Sequence, residues 1–152
     1  MLFRSDLTIA ADDTKFGEPE IRFSQSGPGF VMPWIIGYKK ARELMYLGDM
    51  IDAPTALDLG MVNRVVARDA LAAETLKLAK RLALIAPEAL AAAKLAINRG
   101  ADAAGFRNAM QAGIDVMAPL YAAKTEVGMQ FREITSKQGL GAALKWRKAQ
   151  FE

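Results

Sequence analysis

The residues whose types and spacing could do chemistry lie in Lys15-Phe16-Gly17-Glu18-Pro19-Glu20-Ile21, followed a few residues later by Gly27-Pro28-Gly29. Glu20 stands directly after a proline. Proline fixes its own backbone angle and biases its neighbour away from helix, so Glu20 is held in a stiff turn. The glycines that follow let the chain bend sharply or approach a ligand closely. A fixed acid beside a loop that closes around a small molecule suits proton transfer. The same residues also describe an exposed turn with two solvated carboxylates.

Composition narrows what else the chain can do. It has 152 residues, 52% of them hydrophobic and 24% charged, enough for one domain with a real core and too apolar for a disordered chain. It contains neither histidine nor cysteine. Serine or cysteine triads that rely on histidine, disulfides and the usual zinc sites are therefore excluded, and no metal site is expected. Acid–base work falls to Asp, Glu, Lys or Tyr. The net charge of +3 is mildly basic and comes without long like-charge runs, so nucleic acid is not an expected partner. No apolar run approaches the ~18 residues of a membrane span, and the first residues lack a signal-peptide layout. A cytoplasmic location and no membrane partner are expected.

The elements that must position Glu20 can be read in order. Residues 1–5 read as the last turn of a helix, and Leu7–Ala11 as a short buried strand ended by Asp12-Asp13. Lys15-Phe16-Gly17 is a second extended piece, and Ser24–Gly29 is loop. Phe30–Ile36 reads as a short buried helix kinked near Pro33. Gly37 interrupts it, and Tyr38–Leu47 follows as an amphipathic helix, with Ala41, Leu44, Met45 and Leu47 on one face and Gly48 as its stop. Asp52 is expected to cap Ala53–Leu59, and Gly60 to end it. Met61–Val66 reads as a strand with alternating faces. From Asp69, expected as a helix cap, the chain reads as helix after helix: to about Ile85, from Pro87 to about Gly100, about Ala104–Ala123, Thr125–Ser136 and Leu140–Gln150. The alanines at 89, 92, 93 and 96 permit close helix contact, within the chain or between subunits. A boundary near Ala67-Arg68 divides a mixed part, 1–67, from a helical part, 68–152.

Taken together, these pieces resemble the crotonase superfamily, the enoyl-CoA hydratase/isomerase family. The resemblance rests on Ser5-Asp6-Leu7-Thr8-Ile9-Ala10-Ala11, Phe16-Gly17-Glu18-Pro19-Glu20-Ile21, Ala41 through Ala53, Ala56 through Val66, Gly139 through Leu144, and Arg147-Lys148-Ala149-Gln150-Phe151. It covers nearly all of the chain but matches only the C-terminal portion of a full family member. It implies an α/β fold: part of a crotonase-type ββα spiral, then a helical C-terminal region that assembles trimers or dimers of trimers.

The resemblance implies an acyl-CoA substrate, with coenzyme A entering as part of that substrate and no further cofactor. It implies a proton moved beside the thioester carbonyl while two backbone N–H groups hold the enolate. Glu20 falls where the family commonly places its acid/base carboxylate, and Phe16, Ile21 and Phe23 are the apolar neighbours expected to bury it. Gly27, Gly29, Phe30 and Trp34 are the candidates for the acyl side of the substrate. Phe30, Met32 and Trp34 equally fit a core. Lys145 and Lys148, with Arg147, are candidates for the nucleotide phosphates, although cations at a helix C-terminus also simply suit the helix dipole. The family's aromatic and lysine on that helix are replaced here by Ala143 and Trp146.

The chain is also expected to begin late. The resemblance assigns both oxyanion donors and a second hydratase glutamate to upstream residues, which implies impaired activity for these residues alone. The loop from Ile21 to Ile36 is a few residues shorter than in the best-known hydratases. A non-catalytic assembly module is the alternative reading.

Overall fold

A computed structural model describes residues 5–27 and 29–152. The expected helix tail lies mostly in residues 1–4, outside the described residues, as does Pro28. The order is β1 (Ile9–Ala11), β2 (Lys15–Phe16), a 3-10 turn (Pro19–Phe23), α1 (Pro33–Leu47), β3 (Ile51–Asp52), α2 (Ala53–Asp58), β4 (Arg64–Val66), a 3-10 turn (Arg68–Ala70), then α3 (Leu71–Leu82), α4 (Pro87–Ala103), α5 (Phe106–Ala122), α6 (Glu126–Gln138) and α7 (Leu140–Lys148). This is a mixed α/β chain dominated by helix, with its short strands in the first half.

The strands form two small ladders. β1 and β4 run parallel, Ile9 opposite Arg64 and Ala11 opposite Val66. Parallel pairing needs a long crossover, here the whole run from β2 through α2. The ladder is sealed at its ends by side chain and backbone: Thr8 N–H donates to Asn63 Oδ1 at 2.7 Å, and Asp12 N–H to Val66 O at 2.9 Å. β2 and β3 pair antiparallel, Lys15 opposite Asp52. Between these ladders lies a core of small and flexible side chains: Ala10, Met32, Ala41, Ala53, Ala56, Met61 and Val62. Phe16, Ile36, Ile51, Leu59 and Val65 pack against it.

One local expectation holds because one side chain makes one bond: Asp52 caps α2, accepting from Thr55 N–H at 3.0 Å. Thr125, read only as the first residue of a helix, stands just outside α6 and caps it, accepting from Gly128 N–H at 3.1 Å. Hydrogen bonds from Thr55 hold the Asp52 carboxyl below its usual value.

Others are corrected. Pro33 makes no kink: it opens α1, where its missing N–H costs nothing, and the interruption lies at Gly37, as expected (φ 75°, ψ 162°), a region only glycine occupies at ease. Leu47 does not share the buried face of Ala41, Leu44 and Met45; it is about half exposed. Asp69 caps no helix: it sits inside the 3-10 turn, and α3 begins at Leu71 without a side-chain cap. The first strand starts two residues late, leaving Leu7 exposed. Met61 and Val62 are both buried, so the expected alternation before β4 is broken by a turn that tucks both side chains inward. Helix α3 stops at Leu82, and α4 runs through Gly100 to Ala103.

Candidate active site

The carboxylate turn is built by close approach. Gly17 lies so near β3's lead-in that a Cβ there would fall 2.6 Å from Met50 Sδ and 2.8 Å from Asp49 O. Pro19 then starts the 3-10 turn. Ser24 ends it in the left-handed region (φ 64°), and Gln25 N–H donates to Glu20 O at 3.0 Å. On one side the turn packs on the end of α1, where a Cβ at Gly48 would meet Ile21 Cγ2 at 3.0 Å. Arg22 fastens it there, donating from Nε to Leu47 O at 2.7 Å and pairing with Asp49. On the other side Phe23 stacks on Phe131 of α6, ring centroids 4.5 Å apart.

Within this turn Glu20 is partly buried, and its Oε2 is fully sequestered with no hydrogen-bond partner among the described residues. A buried oxygen without a partner costs free energy and is uncommon outside working sites. Of the apolar neighbours named for Glu20, Phe16 belongs to the core and Phe23 to the stack on α6, while Ile21 opens a cavity wall. Two residues earlier, Glu18 is half-buried. Burial first, and the Glu20 carboxylate second, push its carboxyl above the usual value. Gly27 faces Glu18: a Cβ at Gly27 would lie 2.0 Å from Glu18 Oε2. The role of Glu18 was missed in the sequence. The E-P-E spacing was its available signal, since a 3-10 turn keeps both acids in one short segment.

Beside the turn is an apolar cavity of about 430 Å³ lined by Ile21, Gly29, Phe30, Ala41, Met45, Gly113 and neighbours from α5. Its walls are close-fitted. A Cβ at Gly29 would strike Met45 Cε at 2.3 Å, and one at Gly113 would strike Phe30 Cγ at 2.2 Å. Phe30 also borders an adjoining cavity of about 320 Å³ reaching Gly27 and Tyr121. Tyr121 O–H donates to Ser26 O at 2.5 Å and ties α5 to the loop, a link no local pattern signalled.

The structure brings Gly27, Gly29 and Phe30 together around two adjoining cavities, and Ile21, the residue after Glu20, into the wall of the larger; Glu20 itself is not among the residues lining them. Trp34 is elsewhere: it is exposed and meets Phe106 edge-on at 5.3 Å, and it is not among the residues lining these cavities. Lys145 and Lys148 are exposed on α7. Lys148 pairs with Glu152 at 3.1 Å and borders a separate cavity of about 230 Å³ with Pro19, Arg22 and Arg147. Ala143 is fully buried, so an aromatic side chain there would have to displace its neighbours.

The carboxylate turn thus lies beside an apolar cavity walled in part by α1 and α5. A family model described as enoyl-CoA hydratase/isomerase matches residues 1–138, and the chain belongs to that family. It is 34% identical over 150 residues to a crotonyl-CoA hydratase from Syntrophomonas wolfei, covering 96% of this chain and 53% of the relative. An enoyl-CoA hydratase/isomerase from Xanthobacter autotrophicus superposes with a TM-score of 0.93 at 36% identity, over 99% of this chain and 56% of the other. A carnitinyl-CoA dehydratase from Mycobacterium avium superposes at 0.72 with 27% identity, over 84% and 51%. The chain spans about half the length of these relatives.

Proposed function

We propose that this chain supplies the acid/base carboxylate and the acyl-binding wall of an acyl-CoA hydratase or isomerase. Glu20 takes a proton from, or returns it to, the carbon beside the thioester carbonyl. The electron pair released moves onto the thioester oxygen as an enolate, which two backbone N–H groups in residues outside this chain stabilise. The apolar cavity lined by Ile21, Gly29 and Phe30 receives the acyl group. The observation that carries this reading is the sequestered, unpartnered Glu20 Oε2 one residue from that cavity's wall. Titratable groups used in proton transfer are held in such partly dry settings.

The test is Glu20→Gln in the protein extended to its relatives' length, assayed by turnover of enoyl-CoA thioesters and by deuterium uptake at the α-carbon. Loss of about 10²–10⁴ in rate is expected. Unchanged turnover removes Glu20 from the mechanism.

A second reading is favoured by one observation. Residues 81–100, which include most of α4, are all exposed, among them Leu84, Leu95 and Ile97. In this reading the chain is an assembly module whose helices join complete family subunits, and an oligomer of the trimeric kind buries them. Co-purification with a complete subunit, with no change in that subunit's turnover on Glu20→Gln in this chain, would favour assembly over catalysis.

A further inference from the structure

The turn that bears Glu20 is gripped by residues near the other end of the chain. Arg147 of α7 donates from Nε to the backbone carbonyl of Arg22, two residues after Glu20, and from Nη1 to Gln150. The ring of Phe151 sits between two guanidinium groups, 4.2 Å from Arg22 Cζ and 4.9 Å from Arg147 Cζ. Phe151 is itself held by its N–H donating to Lys148 O at 2.9 Å. Arg22 is the hinge of this arrangement. Its side chain is bound to Leu47 O and Asp49, its guanidinium to Phe151, and its carbonyl to Arg147. Within the turn the backbone is closed by Ser24 N–H, shared between Glu20 O and Ile21 O, and by Gln25 N–H to Glu20 O. A short 3-10 segment has poorer hydrogen-bond geometry than an α-helix, so its orientation is set by what grips it.

We infer that Arg147 and Phe151 form a latch that positions the Glu20 carboxylate, acting through Arg22 rather than on substrate. This rests on the proposed role of Glu20. Arginine suits the task because one planar group can bond a carbonyl and stack on a ring at once. Loss of the latch lets the turn rotate and carry Ile21 with it, while the α1 and α5 residues that form most of the cavity wall are left in place.

The experiment compares Arg147→Ala, Arg147→Lys and Phe151→Leu. Hydrogen exchange is measured on this chain, and thioester kinetics on the extended protein used for Glu20→Gln. With the latch, Arg147→Ala and Phe151→Leu speed exchange of the Ser24 and Gln25 amides, while Leu59, whose N–H closes the end of α2 on Thr55 O, exchanges as before. They lower kcat about 10- to 100-fold with KM little changed, as misplacement of a reacting group does. Arg147→Lys restores part of kcat, since an ammonium still reaches one carbonyl. Should Arg147→Ala fail to fold, Phe151→Leu carries the same comparison. Unaltered Ser24 and Gln25 exchange and unaltered kcat in both variants would overturn the latch. So would exchange accelerated equally at Leu59, or kcat falling with no rescue by lysine. If Glu20→Gln leaves turnover intact while the turn's exchange still quickens, the catalytic reading falls and the latch stands. If Glu20→Gln abolishes turnover and the turn is indifferent to Arg147, the reading stands and the latch falls.

Discussion

Residues 9–66 and residues 71–122 are built from similarly apolar sequence and behave as opposites. The first region folds inward around Ala10, Met32, Ala41, Ala53, Ala56, Met61 and Val62. The second, three helices long, contributes no buried residue, and Leu84 is 84% and Ile97 72% exposed. The difference lies in how each segment satisfies its backbone. A helix closes its hydrogen bonds within itself and can form with an apolar face still uncovered, whereas two- and three-residue strands exist only where a distant segment completes them. Apolar periodicity therefore reports that a face will be covered, without saying by what. α6 and α7 belong to neither extreme, because Phe131 and Ala143 are buried and carry the helical half back onto the carboxylate turn.

The contrast can be broken at its joint. Phe131→Ala removes the stack on Phe23 and is expected to cost about 3–5 kcal/mol, read from urea unfolding. Gly113→Ala tests a place where α5 closely engages the mixed region. Its Cβ would meet the base of the Phe30 ring, so a loss of about 1–3 kcal/mol and weaker binding of longer acyl-CoA thioesters are expected. Thr125→Ala removes the cap of α6 and should cost about 1 kcal/mol, lowering the urea midpoint without altering the slope. Ile97→Ala, the same kind of truncation as Phe131→Ala, should change monomer stability by less than about 0.5 kcal/mol. A large loss there would mean that α4 is covered in solution.

The subtlest test concerns Glu18. Its carboxyl is raised in the folded state by burial and by Glu20, so the folded chain holds that proton more tightly than the unfolded one. Its contribution to stability is then fully present below the unfolded value near 4.5 and is lost as pH rises through the higher folded value. Glu18→Gln removes this loss. The variant should gain stability relative to the parent as pH rises from about 4 toward neutrality, measured by melts at several pH values.

Much of the chain was legible where one residue dictates one local event. Asp52 and Thr125 cap as their types demand, Gly48 ends α1, and Pro87 opens α4. The family was legible because many such events occur in a fixed order. Illegible were events decided by partners far along the chain. Leu47 fits the apolar stripe, yet its carbonyl serves Arg22 and its side chain is left in solvent. Asp69 is an excellent cap type placed one residue too early, since Ala70 holds the cap position of α3. Glu18 looked like a solvated acid until Gly27 closed over it. Trp34 has the bulk of a pocket residue but faces Phe106.

One pairing has a consequence for how the protein is made. Arg22 leaves the ribosome well over a hundred residues ahead of the arginine whose side chain binds its carbonyl. Domains generally organise from the N-terminal end during synthesis, so the small alanine-rich core can assemble while the rest is still being translated. The grip on the turn must wait for Arg147 and Phe151. Synthesis interrupted before Arg147 would leave the core formed and the Arg22 carbonyl without that bond.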